Sequence, residues 1–299
     1  AAAFARAAHV VTLDFRISRV SANPMEPRAL IAEWDAADER WTLRTGTQAP
    51  HGLRDNLAPV LRASPAQLRV ISGDLGGGFG LRSHPTNEQA IALWAARKLN
   101  RPVRWTGDRG EVMSGEPHAR DNDSTVELAL DGDGTFLALR IRTVAALGAY
   151  LALNTPHSST NNLGGLAGVY RTPHIYAEVL GAFTNAPPVA PYRGAGRPEA
   201  TYAVERVIDI AAARLGMDRA ELRRRNLIAP GSFPFKTGLV FTYDSGDFPE
   251  GMRKVLDAAD WAGFPARRAE AASRGKHLGI GLANAIEISA GPHKAPMEE

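Results

Sequence analysis

The first part of the chain shows strict alternation of apolar and polar residues. The apolar side chains between residues 9 and 20 recur at every second position: Val11, Leu13, Phe15 and Ile17. This period predicts a strand with one buried face. Residues 29–47 then predict a hairpin of two short strands around an Asp-rich turn, and residues 67–73 predict a further strand.

A second hairpin is predicted over residues 124–147. Its turn is expected at Asp131–Gly134. Its apolar residues are expected to face each other across the two strands: Val126, Leu128 and Leu130 against Leu137, Leu139 and Ile141. The acidic turn does not predict a calcium loop of the EF-hand type. Thr135 and Phe136 occupy the positions where such a loop requires an acid or Asn and then Gly.

Helices are predicted where apolar residues recur at three- and four-residue spacing. The first covers residues 50–64. The second follows Thr86 and Gln89, whose spacing is that of a capping box. The longest covers residues 197–216, and Gly216 suits its C-terminal cap.

A short basic helix is predicted directly after the long one, over residues 219–226, with Asp218 as its N-cap. Its arginines are expected to form a solvated face. One more helix is predicted over residues 252–259. Because strands come in adjacent pairs as well as around helices, the pattern favours an α+β fold of mixed β-sheets with packed helices.

The organisation of the chain into regions is less sharply marked. Residues 151–196 are rich in loops, apart from one strand-like run at residues 174–183. We place a boundary near residue 180. Residues 1–180 then form a first subdomain that holds a glycine-rich loop, and residues 181–299 form its continuation, with the long helix and the start of a next subdomain. The chain begins without Met and ends soon after an apolar run begins, so we expect it to be part of a longer chain.

The composition excludes several classes of function. Of the 299 residues 44% are apolar, enough for a sizeable core, and a formal net charge of +3 is too small to indicate nucleic-acid binding. The absence of cysteine excludes disulfides and iron–sulfur ligation within the chain, and it fits a cytoplasmic protein. No apolar run approaches the roughly 18 residues of a membrane span. The eight histidines lack ligand spacing, so no metal ligands are predicted.

The most unusual segment is the glycine-rich stretch GDLGGGFG at residues 73–80, between a predicted strand and a predicted helix. Glycine lets the backbone approach a ligand closely and offer its N–H groups to an anion. The dinucleotide pattern GxGxxG fails because Leu81 occupies the third glycine position, and no Gly-Lys-Ser/Thr follows for a P-loop. On the residues alone, a nucleotide- or phosphate-binding module and a plain strand-to-helix turn both stay open.

Six short motifs occur in order along nearly the whole chain: PMEPRA (24–29), TGTQAPH (45–51), GDLGGGFG (73–80), RPVRWTGDR (101–109), YRTPHIY (170–176) and APYRGAGRPEA (190–200). Together they resemble the large, molybdenum-binding subunit of the xanthine dehydrogenase and aldehyde oxidase family, especially the bacterial members related to carbon monoxide dehydrogenase. The resemblance implies a molybdopterin-dependent oxidoreductase with a molybdenum cofactor-binding fold.

The resemblance also implies which residues meet the cofactor. Gln48 matches a glutamine that donates a hydrogen bond to the apical oxo group of molybdenum, for which a side-chain amide is suited. The glycine-rich loop matches backbone that faces the pterin: Gly76, Gly77, Gly78, Phe79 and Gly80. Arg193 matches an arginine over the substrate that stabilises developing negative charge. The plainer alternatives are a polar strand end at Gln48 and, at Arg193, a loop arginine that binds neighbouring carbonyls.

Two departures from the family pattern narrow the expected substrate. Members that oxidise carbon monoxide carry a cysteine where this chain has Gly194, and members that oxidise xanthine carry a glutamate where it has Ser83. The resemblance therefore favours an aldehyde or another N-heterocycle. The family's general base is a glutamate that lies beyond residue 299, and Glu26 is expected to be structural.

The resemblance further implies a reaction and its partners. A molybdenum-bound hydroxide attacks an electron-poor carbon, hydride passes to the Mo=S group, and electrons leave through [2Fe–2S] clusters to FAD on other subunits or domains. The pterin in bacterial relatives is usually the cytosine dinucleotide form. We expect this chain alone to bind no molybdenum and to be inactive. A scaffold subunit without catalysis is the remaining alternative.

Overall fold

The structure, a computed structural model, describes residues 1–152 and 155–287. The strands are β1 (His9–Ile17), β2 (Ala29–Asp35), β3 (Arg40–Thr45), β4 (Leu68–Ile71), β5 (Val103–Thr106), β6 (Asn122–Leu130), β7 (Phe136–Gly148), β8 (Ile175–Phe183), β9 (Phe235–Lys236) and β10 (Thr242–Tyr243). The helices are α1 (Ala2–Ala5), α2 (Pro50–Val60), α3 (Asn87–Leu99), α4 (Arg109–Gly115), α5 (His157–Asn161), α6 (Arg197–Arg214), α7 (Arg219–Asn226), α8 (Phe248–Ala258) and α9 (Phe264–Ser273). Within the described ranges, none of these helices has the length and apolar character needed to cross a lipid bilayer.

One four-stranded sheet has the order β1–β6–β7–β8 and is antiparallel except for the parallel pair β7–β8. The alternation predicted for β1 turns Val11 into the core. α6 covers the same face with its predicted apolar stripe: Ala200, Ala203, Val204, Val207, Ile208 and Ala211. Gly216 follows the end of α6 with a φ of +62°, the left-handed conformation for which glycine is suited.

The hairpin of β6 and β7 forms at the predicted place with one change of register. Two of the three predicted apolar pairs form. The third prediction is wrong, because Leu130 lies opposite Phe136 and not opposite Leu137. Leu137 is the extra residue of a β-bulge and packs with the small apolar cluster around Ala3. A bulge inserts one unpaired residue, which an alternating pattern does not reveal.

The other four-stranded sheet has the order β4–β3–β2–β5, with the pair β3–β4 parallel, and it is covered by α2 and α3. Mixed pairing in both sheets confirms the predicted α+β class. Leu43 and Leu93 are fully buried in this core, and the indole N–H of Trp41 donates to the carbonyl of Leu93 at 2.9 Å. α3 begins with the predicted capping box, in which the N–H of Thr86 donates to Oε1 of Gln89 at 2.9 Å.

The arginines of α7 do not all face solvent. Arg224 and Arg225 are exposed, but the side chain of Arg223 is fully buried. Its guanidinium donates to Glu205 at 2.8 Å and to Asp209 at 2.9 Å, both on α6. The predicted solvated face is therefore wrong for Arg223, because carboxylates on a neighbouring helix replace the hydration that its charge loses.

The chain forms two main hydrophobic cores, and neither of them begins or ends at residue 180, where we placed the predicted boundary. That residue lies inside β8. The first core joins β1, close to the N-terminus, to α6 and α8, which follow residue 180. The second core is formed within residues 30–105.

Candidate functional site

The glycine-rich loop leads from β4 into a short 3₁₀ helix at Leu81–Ser83, and its backbone requires unusual conformations. Gly77 and Gly80 have φ values of +104° and +97°. Phe79, between them, has a φ of +52°, which a bulky residue seldom adopts. The loop thus contains several unusual backbone dihedral angles, which contacts with other segments hold in place.

Two of the glycines are also required by close contacts. A Cβ atom on Gly78 would lie 2.4 Å from Oε1 of Gln48, and one on Gly80 would lie 2.6 Å from the carbonyl oxygen of Pro191. Both distances are far shorter than an ordinary van der Waals contact of about 3.5 Å. The loop therefore lies between the Gln48 segment on one side and the segment before Arg193 on the other.

Gln48 follows β3 and is held through both its main chain and its side chain. Its backbone N–H donates to the carbonyl of Arg82 at 3.0 Å, and its Oε1 accepts the N–H of Gly80 at 2.8 Å. Because a backbone N–H can only donate, the amide oxygen of Gln48 must face the loop and its NH₂ group must face away. Among the described residues this NH₂ group has no hydrogen-bond partner. It is therefore available to a ligand.

Arg193 lies in the loop that leads into α6, and this loop is tied to the glycine-rich loop. The backbone N–H of Arg193 donates to the carbonyl of Phe79 at 3.0 Å. The ring of Tyr192 stands edge-on to the ring of Phe79, with their centroids 6.2 Å apart. The side chain of Arg193 is exposed, and within residues 1–152 and 155–287 no group pairs with its guanidinium. The structure therefore brings Gln48, the loop and Arg193 side by side.

A turn at residues 23–26 closes another side of the glycine-rich loop. The carboxylate of Glu26 accepts the N–H of Gly76 at 2.6 Å, and the backbone N–H of Glu26 donates to the carbonyl of Gly76 at 3.1 Å. The buried guanidinium of Arg82 donates to the carbonyl of Glu26. Glu26 thus fastens the loop through two hydrogen bonds and the 3₁₀ helix that follows the loop through a third.

Buried charges near this turn were missed by sequence reasoning. Arg28 lies 3.2 Å from Glu116 and 2.7 Å from Glu88, and the side chains of Arg28 and Glu116 are only 9% and 4% exposed. Burial raises the pKa of Glu116 and lowers the pKa of Arg82, because desolvation disfavours the charged form of each. No pattern distinguishes these residues in the sequence, since each stands in a polar stretch that also suits a surface.

The geometry does not favour an anion bound to the backbone N–H groups of the glycine-rich loop. The N–H groups of Gly76 and Gly80 are occupied by the Glu26 carboxylate and by the amide oxygen of Gln48. A carboxylate beside the loop would also repel a phosphate group. Nothing in this arrangement supports the nucleotide- or phosphate-binding alternative. In the part of the chain that the structure describes, no cluster of three or more His, Asp or Glu residues could hold a metal ion.

Comparison with known proteins supports the same family that the sequence motifs indicate. The sequence profile of the molybdopterin cofactor-binding domain matches residues 1–227. The chain is 35% identical over 285 residues to the 6-hydroxypseudooxynicotine dehydrogenase complex subunit gamma of Paenarthrobacter nicotinovorans, covering 94% of this chain and 36% of that subunit. It is 37% identical over 303 residues to the carbon monoxide dehydrogenase large chain of Hydrogenophaga pseudoflava, covering 98% and 37%.

A solved structure extends the similarity to the fold. The crystal structure of quinoline 2-oxidoreductase from Pseudomonas putida 86 matches with a TM-score of 0.85 and 36% identity, over 92% of this chain and 35% of that one. The chain thus spans little more than a third of the length of these relatives. It belongs to the molybdopterin cofactor-binding domain family, within the molybdenum-binding large subunits of the xanthine dehydrogenase and carbon monoxide dehydrogenase group.

Proposed function

We propose that the chain is part of the catalytic subunit of a molybdenum hydroxylase that oxidises an aldehyde or an N-heterocycle. The observation that carries this proposal is the meeting of three separate segments at one place. The N–H of Gly80 donates to Gln48, and the N–H of Arg193 donates to the carbonyl of Phe79. Residues matched to cofactor and substrate contacts in the family are therefore neighbours in this fold.

The residues at this place fit a bulky, flat cofactor whose charged oxygen atoms meet Gln48 and Arg193 and not the N–H groups of Gly76 and Gly80, which are already occupied. The glycines leave main chain without Cβ atoms, so a flat group can approach closely. Gln48 offers an amide NH₂ donor and Arg193 a guanidinium, both without partners among the described residues. These donors complement oxygen atoms that carry negative charge. When bound, the molybdenum-pterin supplies oxygen transfer and accepts two electrons, chemistry that protein side chains do not provide.

Each residue has its own role in the proposed site. Gln48 would hold an oxygen atom of the cofactor through its NH₂ group, with the N–H of Gly80 fixing the orientation of its amide. The backbone from Gly76 to Gly80 lines the pterin. Arg193 stabilises the negative charge that develops on the substrate, because a guanidinium keeps its charge at any physiological pH. The general base is proposed to lie beyond residue 299, outside this chain.

The absence of a cysteine at position 194 argues against carbon monoxide as the substrate. Members that oxidise carbon monoxide carry a cysteine at this position. Here Gly194 has a φ of +85°, and a Cβ atom on it would lie 2.7 Å from Cδ of Pro198. A cysteine would strain this loop. An N-heterocycle is the favoured substrate class, since quinoline, for which the similar solved enzyme is named, is one.

Electron transfer requires partners in this proposal. The chain has no cysteine and so cannot ligate an iron–sulfur cluster. We assign [2Fe–2S] clusters and FAD to partner subunits or domains, as the words "complex subunit gamma" and "large chain" in the relatives' names suggest for those proteins. We also propose that the pterin is the cytosine dinucleotide form and that the protein is located in the cytoplasm.

Variants of Gln48 and Arg193 in the assembled enzyme test it. Arg193→Ala is expected to lower kcat by about 10²-fold, the usual loss when a donor to a developing oxyanion is removed. Gln48→Ala is expected to slow reduction of the enzyme by substrate. Gln67→Ala is a matched control, since Oε1 of Gln67 also accepts a backbone N–H, from Ser64, but away from the site. Wild-type kinetics and molybdenum content in both site variants would refute the assignments.

The 299-residue chain by itself is expected to bind no molybdenum. The relatives are nearly three times as long, so we propose that much of the cofactor cleft is contributed by segments outside this chain. Metal analysis of the purified chain measures this directly. Stoichiometric molybdenum would contradict the expectation.

A further inference from the structure

Arg120 lies beside the loop that carries Arg193 and contacts that loop twice. Its Nη2 donates to the carbonyl of Arg193 at 3.0 Å. Its guanidinium carbon lies 4.8 Å from the centre of the Tyr192 ring, within the range of a cation–π contact. The side chain of Arg120 is only 13% exposed, while its hydrogen bond to Arg193 lies on the exposed side of the loop.

A buried carboxylate holds Arg120 from the other side. Glu199, in the first turn of α6, is 5% exposed, and its Oε1 lies 3.7 Å from Nε of Arg120. Burial raises the pKa of Glu199, and the charge of Arg120 opposes that rise. The other oxygen of Glu199 and Nη1 of Arg120 are buried without a hydrogen-bond partner among the described residues. A buried ion pair with unfilled hydrogen bonds is a poor source of stability. A role in placing the neighbouring loop explains why the pair lies there.

The loop requires such an anchor because of its own backbone. Gly194, Ala195 and Gly196 have successive φ values of +85°, +44° and +102°. For Ala195 this conformation is unfavourable, since its Cβ approaches the following carbonyl. A segment of this kind keeps one conformation only when the surrounding contacts determine it.

Arg120 completes the placement of Arg193. The peptide group before the Arg193 Cα is held by the N–H bond to Phe79, and the peptide group after it is held by Arg120 through the Arg193 carbonyl. Peptide groups are planar and rigid. When both planes that flank a Cα atom are fixed, the direction of its Cα–Cβ bond is fixed as well.

We propose that Arg120 is a positioning residue, which holds the Arg193 loop against the glycine-rich loop and thereby sets the direction of the Arg193 side chain. This inference rests on the proposed function, since the direction matters for catalysis only if Arg193 acts on the substrate. Arg120 acts through Arg193 alone.

Hydrogen exchange of the Arg193 amide tests the placement without any cofactor. In Arg120→Ala we expect this amide to exchange at least about tenfold faster, because a hydrogen bond from a charged donor is lost. Arg120→Lys keeps a cation beside Glu199, so it is expected to fold even if the alanine variant does not. A lysine ammonium cannot donate and stack as a planar guanidinium does. Faster exchange is therefore expected in Arg120→Lys as well.

Arg140→Ala, on β7, provides a matched control. Arg140 also pairs with a carboxylate, Glu127, at 2.8 Å, and its guanidinium lies 4.5 Å from the centre of the Phe4 ring. Its removal is expected to leave exchange at Arg193 unchanged. Wild-type exchange at Arg193 in both Arg120 variants would overturn the inference, as would equal acceleration in Arg140→Ala.

Kinetics of the assembled enzyme separate this inference from the proposed function. Arg120→Ala is expected to lower kcat, and the double variant Arg120→Ala/Arg193→Ala is expected to be no slower than Arg193→Ala, because Arg120 works through Arg193. Independent, multiplicative losses would overturn the positioning role. If exchange at Arg193 accelerates but Arg193→Ala turns over like the wild type, the proposed function fails while the placement by Arg120 is supported.

Discussion

Gly80→Ala tests the close approach between the glycine-rich loop and the Arg193 loop. Gly80 has a φ of +97°, and a Cβ atom on it would lie 2.6 Å from the carbonyl oxygen of Pro191. That oxygen belongs to main chain and cannot rotate aside as the end of a side chain could. An alanine therefore forces the two loops apart in addition to adopting an unfavourable φ.

The expected loss of stability has two parts. An alanine in the left-handed region costs about 1–2 kcal/mol. Separation of the loops breaks the hydrogen bond from the N–H of Arg193 to the carbonyl of Phe79, 3.0 Å long, which contributes about 1 kcal/mol. Gly80→Ala is thus expected to lower the free energy of unfolding by about 2–3 kcal/mol.

Urea unfolding of Gly80→Ala and Gly73→Ala measures this effect against a matched control. Gly73 is exposed at the start of the same motif, and no atom lies within 4 Å of the place that its Cβ would take. Gly73→Ala is expected to raise the free energy of unfolding by about 0.4–1 kcal/mol, because alanine restricts the unfolded chain. Equal free energies of unfolding in the two variants would refute the reasoning.

Two further predictions concern charges away from the site. Arg223→Ala is expected to lower the free energy of unfolding by about 3–5 kcal/mol because it leaves Glu205 buried without its cation. The exposed Arg225→Ala is expected to change it by less than about 1 kcal/mol, and equal losses in urea unfolding would contradict this. The hydrogen bond from Arg253 lowers the pKa of Glu250 from 4.5 to about 2. Since the folded pKa lies below the unfolded one, this stabilising contribution is present above pH 4.5 and is lost as the pH falls towards 2. An NMR titration of Glu250 checks this pKa. A pKa near 4.5 for Glu250 in the unsubstituted chain would exclude its pairing with Arg253.

Much of the local structure was predictable because it depends on neighbours in the sequence. The apolar stripe of α6, the capping box at Thr86 and the strand at Val11 each follow from spacing over a few residues. The register of Leu130 was not predictable, since a bulge changes the pairing without changing the alternation that precedes it.

The sequence predicted which residues belong to the candidate site, but not how they are oriented. The motifs indicated Gln48, the glycine-rich loop and Arg193, and their roles stay predictions until the variants are measured. The orientation of the Gln48 amide, by contrast, depends on an N–H that lies 32 residues further along the chain, at Gly80. Arg120 gave no signal, because an arginine in a polar turn is normally solvated.

The sequence by itself determined the order and type of the principal strands and helices, the glycine-rich character of residues 76–80 and the family, since these depend on local geometry and on short motifs. The tertiary structure decided which charges are buried and which loops touch. Arg223 is buried because α6 brings Glu205 to it, and Arg193 is placed because Phe79 and Arg120 hold its two peptide groups. Such partners are distant in the chain, and only the packing of the whole fold brings them within hydrogen-bonding distance.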